Sequence, residues 1–174
     1  MRYINDSAFL RCDNLKIFDW PTNLRIIYNA AFKYCPQLKS YNLPDNVYYI
    51  GQQAFQFSFA PEDWSASDKQ FDLFIPGSVS NVASQAFQGY DSTTGTPRHI
   101  HRLFIGDENN PVKNFNEITI AKNAFNATPI DYVIVYCETE DYSSWTAETV
   151  LSYFPILNNE NAFKFPNQND AIPN

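Results

Sequence analysis

Hydrophobic and polar positions in this chain repeat at long range before they repeat locally. The branched aliphatics Ile4, Ile27, Ile50, Val82 and Ile120 each stand four residues ahead of an Ala-Phe pair, at Ala8, Ala31, Ala54, Ala86 and Ala124. Successive alanines lie 23, 23, 32 and 38 residues apart. Four residues after each Ala come Cys12, Cys35, Ser58, Tyr90 and Thr128, and Leu15 and Leu38 stand three further on. Pro21, Pro44 and Pro76 close the next segment, and Leu24, Val47 and Val79 lead back to the aliphatic column. A sixth pair, Ala162-Phe163, has Asn158 at the aliphatic position and falls outside the pattern.

Within the unit, alternation before the proline (Phe18 and Trp20, Tyr41 and Leu43, Leu73 and Ile75) predicts a short strand with one buried face. Proline ends it by removing a ladder donor. Small Ala permits close backbone approach in the return turn, while Phe fills the interior. One unit cannot bury its apolar side alone, so stacked units must share a continuous core. The expected fold is a solenoid of short parallel strands in about five coils. From Ala to the last inward strand residue is 12 in the first two units but 21 in the third and 19 in the fourth, which places insertions within 57–70 and 89–102. A third insertion lies around 107–117. Such edges often carry binding loops.

The same register sets out an exposed strand face: Ile17 and Asp19, Ser40 and Asn42, Asp72 and Phe74, Arg102 and Phe104, then Val133 and Val135. Its first half is polar and its second half apolar. An exposed apolar patch of that kind marks an interface, unless the C-terminal segment folds over Phe104, Val133 and Val135. That segment reads as a short helical cap over 139–157, started by Ser143 or Ser144 and ended by Pro155. The expected organisation is a repeat solenoid over 1–138, the cap, and a polar tail or extended arm over 158–174. No comparable cap precedes Ile4, so either the chain is a fragment or something else covers that end.

Composition narrows the function. With 12 Lys and Arg against 19 Asp and Glu, the formal charge is −7, which argues against nucleic acid and against a polybasic membrane contact. No apolar run approaches a membrane span, and the first residues lack a signal-peptide apolar region. Three cysteines, Cys12, Cys35 and Cys137, cannot all pair within one chain, and their low density does not suit a disulfide scaffold. Cys12 and Cys35 hold equivalent columns and are expected to stack inside.

The unit as it stands over 27–50, IYNAAFKYCPQLKSYNLPDNVYYI, resembles the BspA-type leucine-rich repeat. The resemblance covers about 4–137; later units lose the Cys and first Leu columns. It implies a right-handed leucine-rich solenoid of the kind found in surface proteins that bind matrix proteins or other cells. It therefore implies binding rather than catalysis and transfers no particular ligand.

Candidate sites follow from the register. Tyr28, Tyr34, Tyr48 and Tyr49 occupy non-core columns, either as contact area for a partner or as packing between neighbouring units. Trp64, in the third unit's insertion, is either a loop anchor or a residue folded back on the solenoid edge. His99 and His101 alternate and would share a strand face, but two ligands do not make a closed metal site, and none is assigned. No glycine-rich phosphate loop, nucleophile elbow or metalloprotease His pair occurs, so neither enzyme activity nor a cofactor is expected.

Two functions lead, and a third, an intracellular scaffold, rests only on the reduced-looking cysteines. One is a non-catalytic adhesion module that recognises an extracellular protein or glycan through Trp64, Phe74, Phe104, Val133, Val135, Tyr48 and Tyr49. The other is a structural subunit of a virion, phage particle or surface appendage, contacting its neighbours, including further copies of itself, through the repeat ends and the tail.

Overall fold

The computed structural model describes residues 1–60, 70–89, 99–113 and 117–138, together with the backbone of 163–164. Two parallel sheets enclose one core. Sheet A joins five two-residue strands in the order β1 (Tyr3–Ile4), β2 (Ile26–Ile27), β3 (Tyr49–Ile50), β5 (Asn81–Val82) and β7 (Thr119–Ile120). Sheet B joins β4 (Gln70–Ile75), β6 (His99–Ile105), β8 (Ile130–Val135) and β9 (Phe163–Lys164). From the third circuit on the chain alternates between the sheets and adds one strand to each, which is solenoid winding; the first two circuits add a strand to sheet A alone. Among the described residues there is no α-helix, and the expected cap over 139–157 lies outside them.

Sheet A is the aliphatic column made physical. Ile4, Ile27, Ile50, Val82 and Ile120 pair in register from strand to strand. The Ala-Phe turns stack behind it. Phe9, Phe32, Phe55, Phe87 and Phe125 form a continuous pile with ring centroids 4.9, 5.4, 5.3 and 5.1 Å apart and planes within 11° of parallel. Within that turn, Ser7 and Arg11, Ala30 and Tyr34, and Gln53 and Phe57 take the left-handed backbone conformation, with φ between 52 and 59°. Ala is required between them because Ala31, Ala54, Ala86 and Ala124 are completely buried against neighbouring turns. Gly51 serves close approach too: a Cβ there would lie 2.7 Å from the carbonyl carbon of Tyr28.

Polar columns hold the turns in register. Each turn donates forward: the Ser7, Phe9 and Arg11 amides bond the Asn29, Ala31 and Lys33 carbonyls, and the Ala30, Phe32 and Tyr34 amides bond Gln52, Ala54 and Gln56. Inside, Ser58 takes the column that Cys12 and Cys35 hold in earlier units. Its hydroxyl accepts from the Cys35 amide at 3.0 Å and donates to the Phe32 carbonyl. Cys35 is buried and Cys12 half-buried; all three cysteines are free thiols. Burial, foremost, pushes the Cys35 thiol up to about 12.

Sheet B corrects one expectation. In β4 and β6 the outward residues are those read from the sequence, with Leu73, Ile75, Leu103 and Ile105 inside. In β8 the register is shifted by one: Val133 and Val135 are fully buried in the main core, and Ile134 faces the other way, beside Phe104. From Ala124 to Val135 is 11 residues, one fewer than in the first two units. Because Tyr132 to Tyr136 is apolar throughout, its alternation could not reveal the slip, and a one-residue shift exchanges every side chain between faces. Val133 and Val135 are core residues, unavailable to a partner.

Candidate partner-binding surfaces

The outer face of sheet B is built on facing irregularities. Ile100 and Leu103 both point inward with His101 and Arg102 between them, opposite the single residue Asp72 on β4, where the pairing register shifts. The extra residue brings a charged pair together. Arg102 Nε donates to Asp72 Oδ2 at 3.0 Å and its backbone amide to Oδ1 at 3.2 Å. The neighbouring histidines share one carboxylate across the sheet: His99 Nε2 lies 2.8 Å from Asp131 Oδ1 and His101 Nδ1 lies 2.9 Å from Oδ2. An ionised carboxylate only accepts, so both rings donate to it. Burial alone would raise the Asp131 pKa, but the hydrogen bonds from His101 and His99 outweigh it and hold the group below its ordinary value. The two imidazoles address different oxygens, which is the geometry of a hydrogen-bonded triad.

Further along the same face, Phe74 and Phe104 stack at 4.5 Å with planes 1° apart, and Arg102 lies 5.7 Å over the Phe104 ring. Phe104, Ile134 and Tyr136 form a small second cluster against which Phe74 packs. Phe104 is only 8% exposed and Ile134 fully buried, so the apolar half of this face is not an open patch. Of the residues expected there, only Phe74 keeps partial exposure. Trp64 lies outside the described residues.

A shallow groove of about 420 Å³ runs along the corner between the sheets, past Asp45, Ser78, Ser80, Asn110 and Lys113. Its hydroxyls are already engaged: Ser78 donates to the Val47 carbonyl at 2.7 Å and Ser80 to the Tyr48 carbonyl at 3.1 Å. These bonds knit consecutive units together.

The open aromatic surface is on sheet A instead. Its outward column runs Tyr3, Ile26, Tyr49, Asn81 and Thr119 by strand register. Tyr48 directly precedes Tyr49 and Tyr28 lies two residues after Ile26, and exposures of 48% for Tyr3, 40% for Tyr48 and 36% for Tyr28 leave the rings accessible. Tyr3 and Tyr28 sit 6.4 Å apart, tilted by 53°. Arg2 and Arg25 border the patch, both exposed and without an ion-pair partner among the described residues. Tyr48 and Tyr49 were legible as candidates; Tyr3 and Ile26 were not singled out, although each directly precedes an aliphatic-column residue. Tyr34 belongs elsewhere: it packs on Phe57 at 5.0 Å with Arg11 over its ring at 5.1 Å, which is packing between units.

Two stacked parallel sheets, an in-register aliphatic ladder and a pile of turn phenylalanines define a repeat solenoid. The chain belongs to the family of BspA type leucine rich repeat regions, whose model matches residues 1–94 in six copies. Comparison with curated proteins and with solved structures gives no match. The family is one of protein-binding repeats, generally non-catalytic and typically at the cell surface or outside the cell. No helix among the described residues is long and apolar enough to cross a membrane.

Proposed function

We propose that this protein is an adhesion or recognition module that binds an extracellular protein through the outer face of sheet A. The observation that carries this is the exposed group of Tyr3, Tyr28 and Tyr48 with Tyr49 and Ile26, bordered by Arg2 and Arg25. Tyr and Arg are the residues enriched in protein interfaces and their hot spots. A protein partner is preferred to a glycan because the 53° tilt between Tyr3 and Tyr28 gives no flat platform for a sugar chain. The test is binding of the wild type and of Tyr48→Ser/Tyr49→Ser to immobilised extracellular matrix proteins and to a glycan array. Loss of protein binding at an unchanged melting temperature supports the site; unaltered binding removes it, and signal on glycans alone changes the partner class. Trp64 is a second contact in this reading, checked by Trp64→Ala in the same assay.

A second reading, a structural subunit of a larger assembly such as a virion or surface appendage, is favoured by the first unit. Phe9, Cys12, Leu15 and Phe18 are core columns, yet all keep partial exposure. In this reading residues 139–157 cap the far end and 158–174 form an arm. Deleting 158–174 then disrupts association, and a deletion variant that assembles normally counts against it.

A further inference from the structure

The two sheets use their charges differently. On sheet B the cations are engaged within the fold, Arg102 by Asp72 and the two histidines by Asp131. Sheet A has no ion pair among the described residues. Of the two residues on either side of Ile27, Ile50, Val82 and Ile120, Arg25 and Lys122 are cations and none is a carboxylate. That exclusion occurs in a chain with 19 Asp and Glu against 12 Lys and Arg. Both cations are exposed, and neither has an ion-pair partner among the described residues. Arg25, Tyr28, Tyr48 and Tyr49 belong to β2 and β3 or directly adjoin them, and each of these strands has a neighbour on both sides. Their exposure therefore owes nothing to an end of the sheet.

The backbone of this region is already engaged. The Arg25 carbonyl accepts from the Tyr48 and Tyr49 amides at 3.0 and 3.4 Å, and the Tyr48 carbonyl from those of Ser80 and Asn81. Strand addition is thus closed to a partner here, and recognition falls to the side chains. A guanidinium offers donors in a fixed fork that matches a carboxylate, and Arg beside Tyr is the pairing enriched in interface hot spots. Lys122 lies three strand steps further along the solenoid, about 14 Å at a spacing of ~4.8 Å. We infer that the outer face of sheet A recognises an acidic segment of a partner protein, lying along the solenoid axis. One of its carboxylates pairs with Arg25 and another with Lys122, and its apolar surface rests on Tyr28, Tyr48 and Tyr49. A sulfated glycan suits this face less, because it calls for a dense run of cations rather than two separated ones. At physiological salt, charges more than roughly 8 Å away are largely screened, so this face outweighs the chain's net −7. The inference rests on the sheet A binding reading above and names the chemistry of its partner.

The test is fluorescence anisotropy of the full chain with a labelled Glu/Tyr copolymer, its Gln/Tyr counterpart and heparin, at about 0.05 and 0.5 M salt. The expected result is binding of the Glu/Tyr copolymer at low salt, weakened at high salt, with the Gln/Tyr copolymer and heparin bound at least tenfold more weakly. Arg25→Glu is expected to weaken Glu/Tyr binding by about tenfold or more, because reversal turns attraction into repulsion. Lys122→Glu weakens it less and serves as the second reversal should the first variant unfold. Lys113→Glu, exposed at the corner groove, leaves it unchanged. Equal binding of the two copolymers, no binding of either, or affinity unaltered by both reversals overturns the inference. Preference for heparin overturns it too, in favour of a sulfated glycan. The matrix-protein assay separates this inference from the reading beneath it. Binding there that falls with Tyr48→Ser/Tyr49→Ser but not with Arg25→Glu keeps the face and removes the acidic partner. Binding that responds to neither variant removes the face itself.

Discussion

The first two units and the later ones solve the same packing problem with different means. In the first unit, residues 16–20 form no strand of sheet B, and in the second only Asn42 makes a bridge, to Phe74. There side chains supplement a few backbone bonds, such as that from the Lys39 amide to the Lys16 carbonyl: the Phe18 amide donates to Ser40 Oγ at 2.7 Å, and Tyr41 Oη donates to the Ala60 carbonyl. The later units build strands of six and seven residues, QFDLFI, HIHRLFI and IDYVIV, rich in the aromatic and β-branched residues that suit a pleated surface. Ser and Asn compete for backbone hydrogen bonds and interrupt a ladder; Phe, Ile and Val do not. In the phenylalanine pile only the first ring departs: Phe9 is partly exposed, whereas Phe32, Phe55, Phe87 and Phe125 are exposed by 4% or less. Stability is therefore concentrated in the later units, and accessible aromatic and cationic surface in the earlier ones.

The sharpest way to break that comparison is to remove equivalent rings from the phenylalanine pile. Phe55→Ala is expected to cost about 3–5 kcal/mol, the range for a fully buried aromatic, and Phe9→Ala clearly less because its ring is already partly exposed to water. Denaturant unfolding checks both, and equal losses would erase the gradient. Ser58→Ala comes next at about 1–3 kcal/mol, because it strands the buried Cys35 amide and leaves the Phe32 carbonyl with one partner fewer. Thiol chemistry compares equivalent columns without mutation. A thiol reagent near pH 8 should label Cys12 quickly and leave Cys35 and Cys137 unmodified until the protein unfolds, since Cys12 alone is partly exposed. Simultaneous labelling of Cys12 and Cys35 would mean that the second unit opens as readily as the first.

The smallest effect is the acid response of the sheet B triad. The folded-state pKa of Asp131 is depressed, so its stabilising contribution is present above the unfolded carboxylate value and lost as pH falls through the folded one. Asp131→Asn should flatten the dependence of the melting temperature on pH in that acid range, leaving the remainder of the profile unchanged. An unaltered acid limb would show that His99 and His101 do not depend on the carboxylate.

Most of the architecture could be read from repeat arithmetic, because columns fixed by core packing recur whatever the intervening loops do. Ile4 to Ile120 became sheet A, the Ala-Phe pairs became the turns, and Phe74 and Phe104 took the outer face of sheet B as expected. The register of Val133 and Val135 failed because five consecutive apolar residues carry no alternation to read. The burial of Phe104 depended on contacts that no single column encodes. The Asp131 contacts with His99 and His101 join residues 30 and 32 positions apart and needed the β6–β8 pairing to be known.

Amide hydrogen exchange tests the gradient most directly, by comparing the turn amides of Ser7, Phe9 and Arg11 with those of Gln53, Phe55 and Phe57. All six are hydrogen-bonded to the next unit, so any difference in protection reports how readily each unit detaches. The expected result is fast exchange in the first turn, by local opening, and exchange in the third turn slow enough to track global unfolding. Equal protection in both turns would contradict an open first unit and, with it, the placement of the interaction surface there.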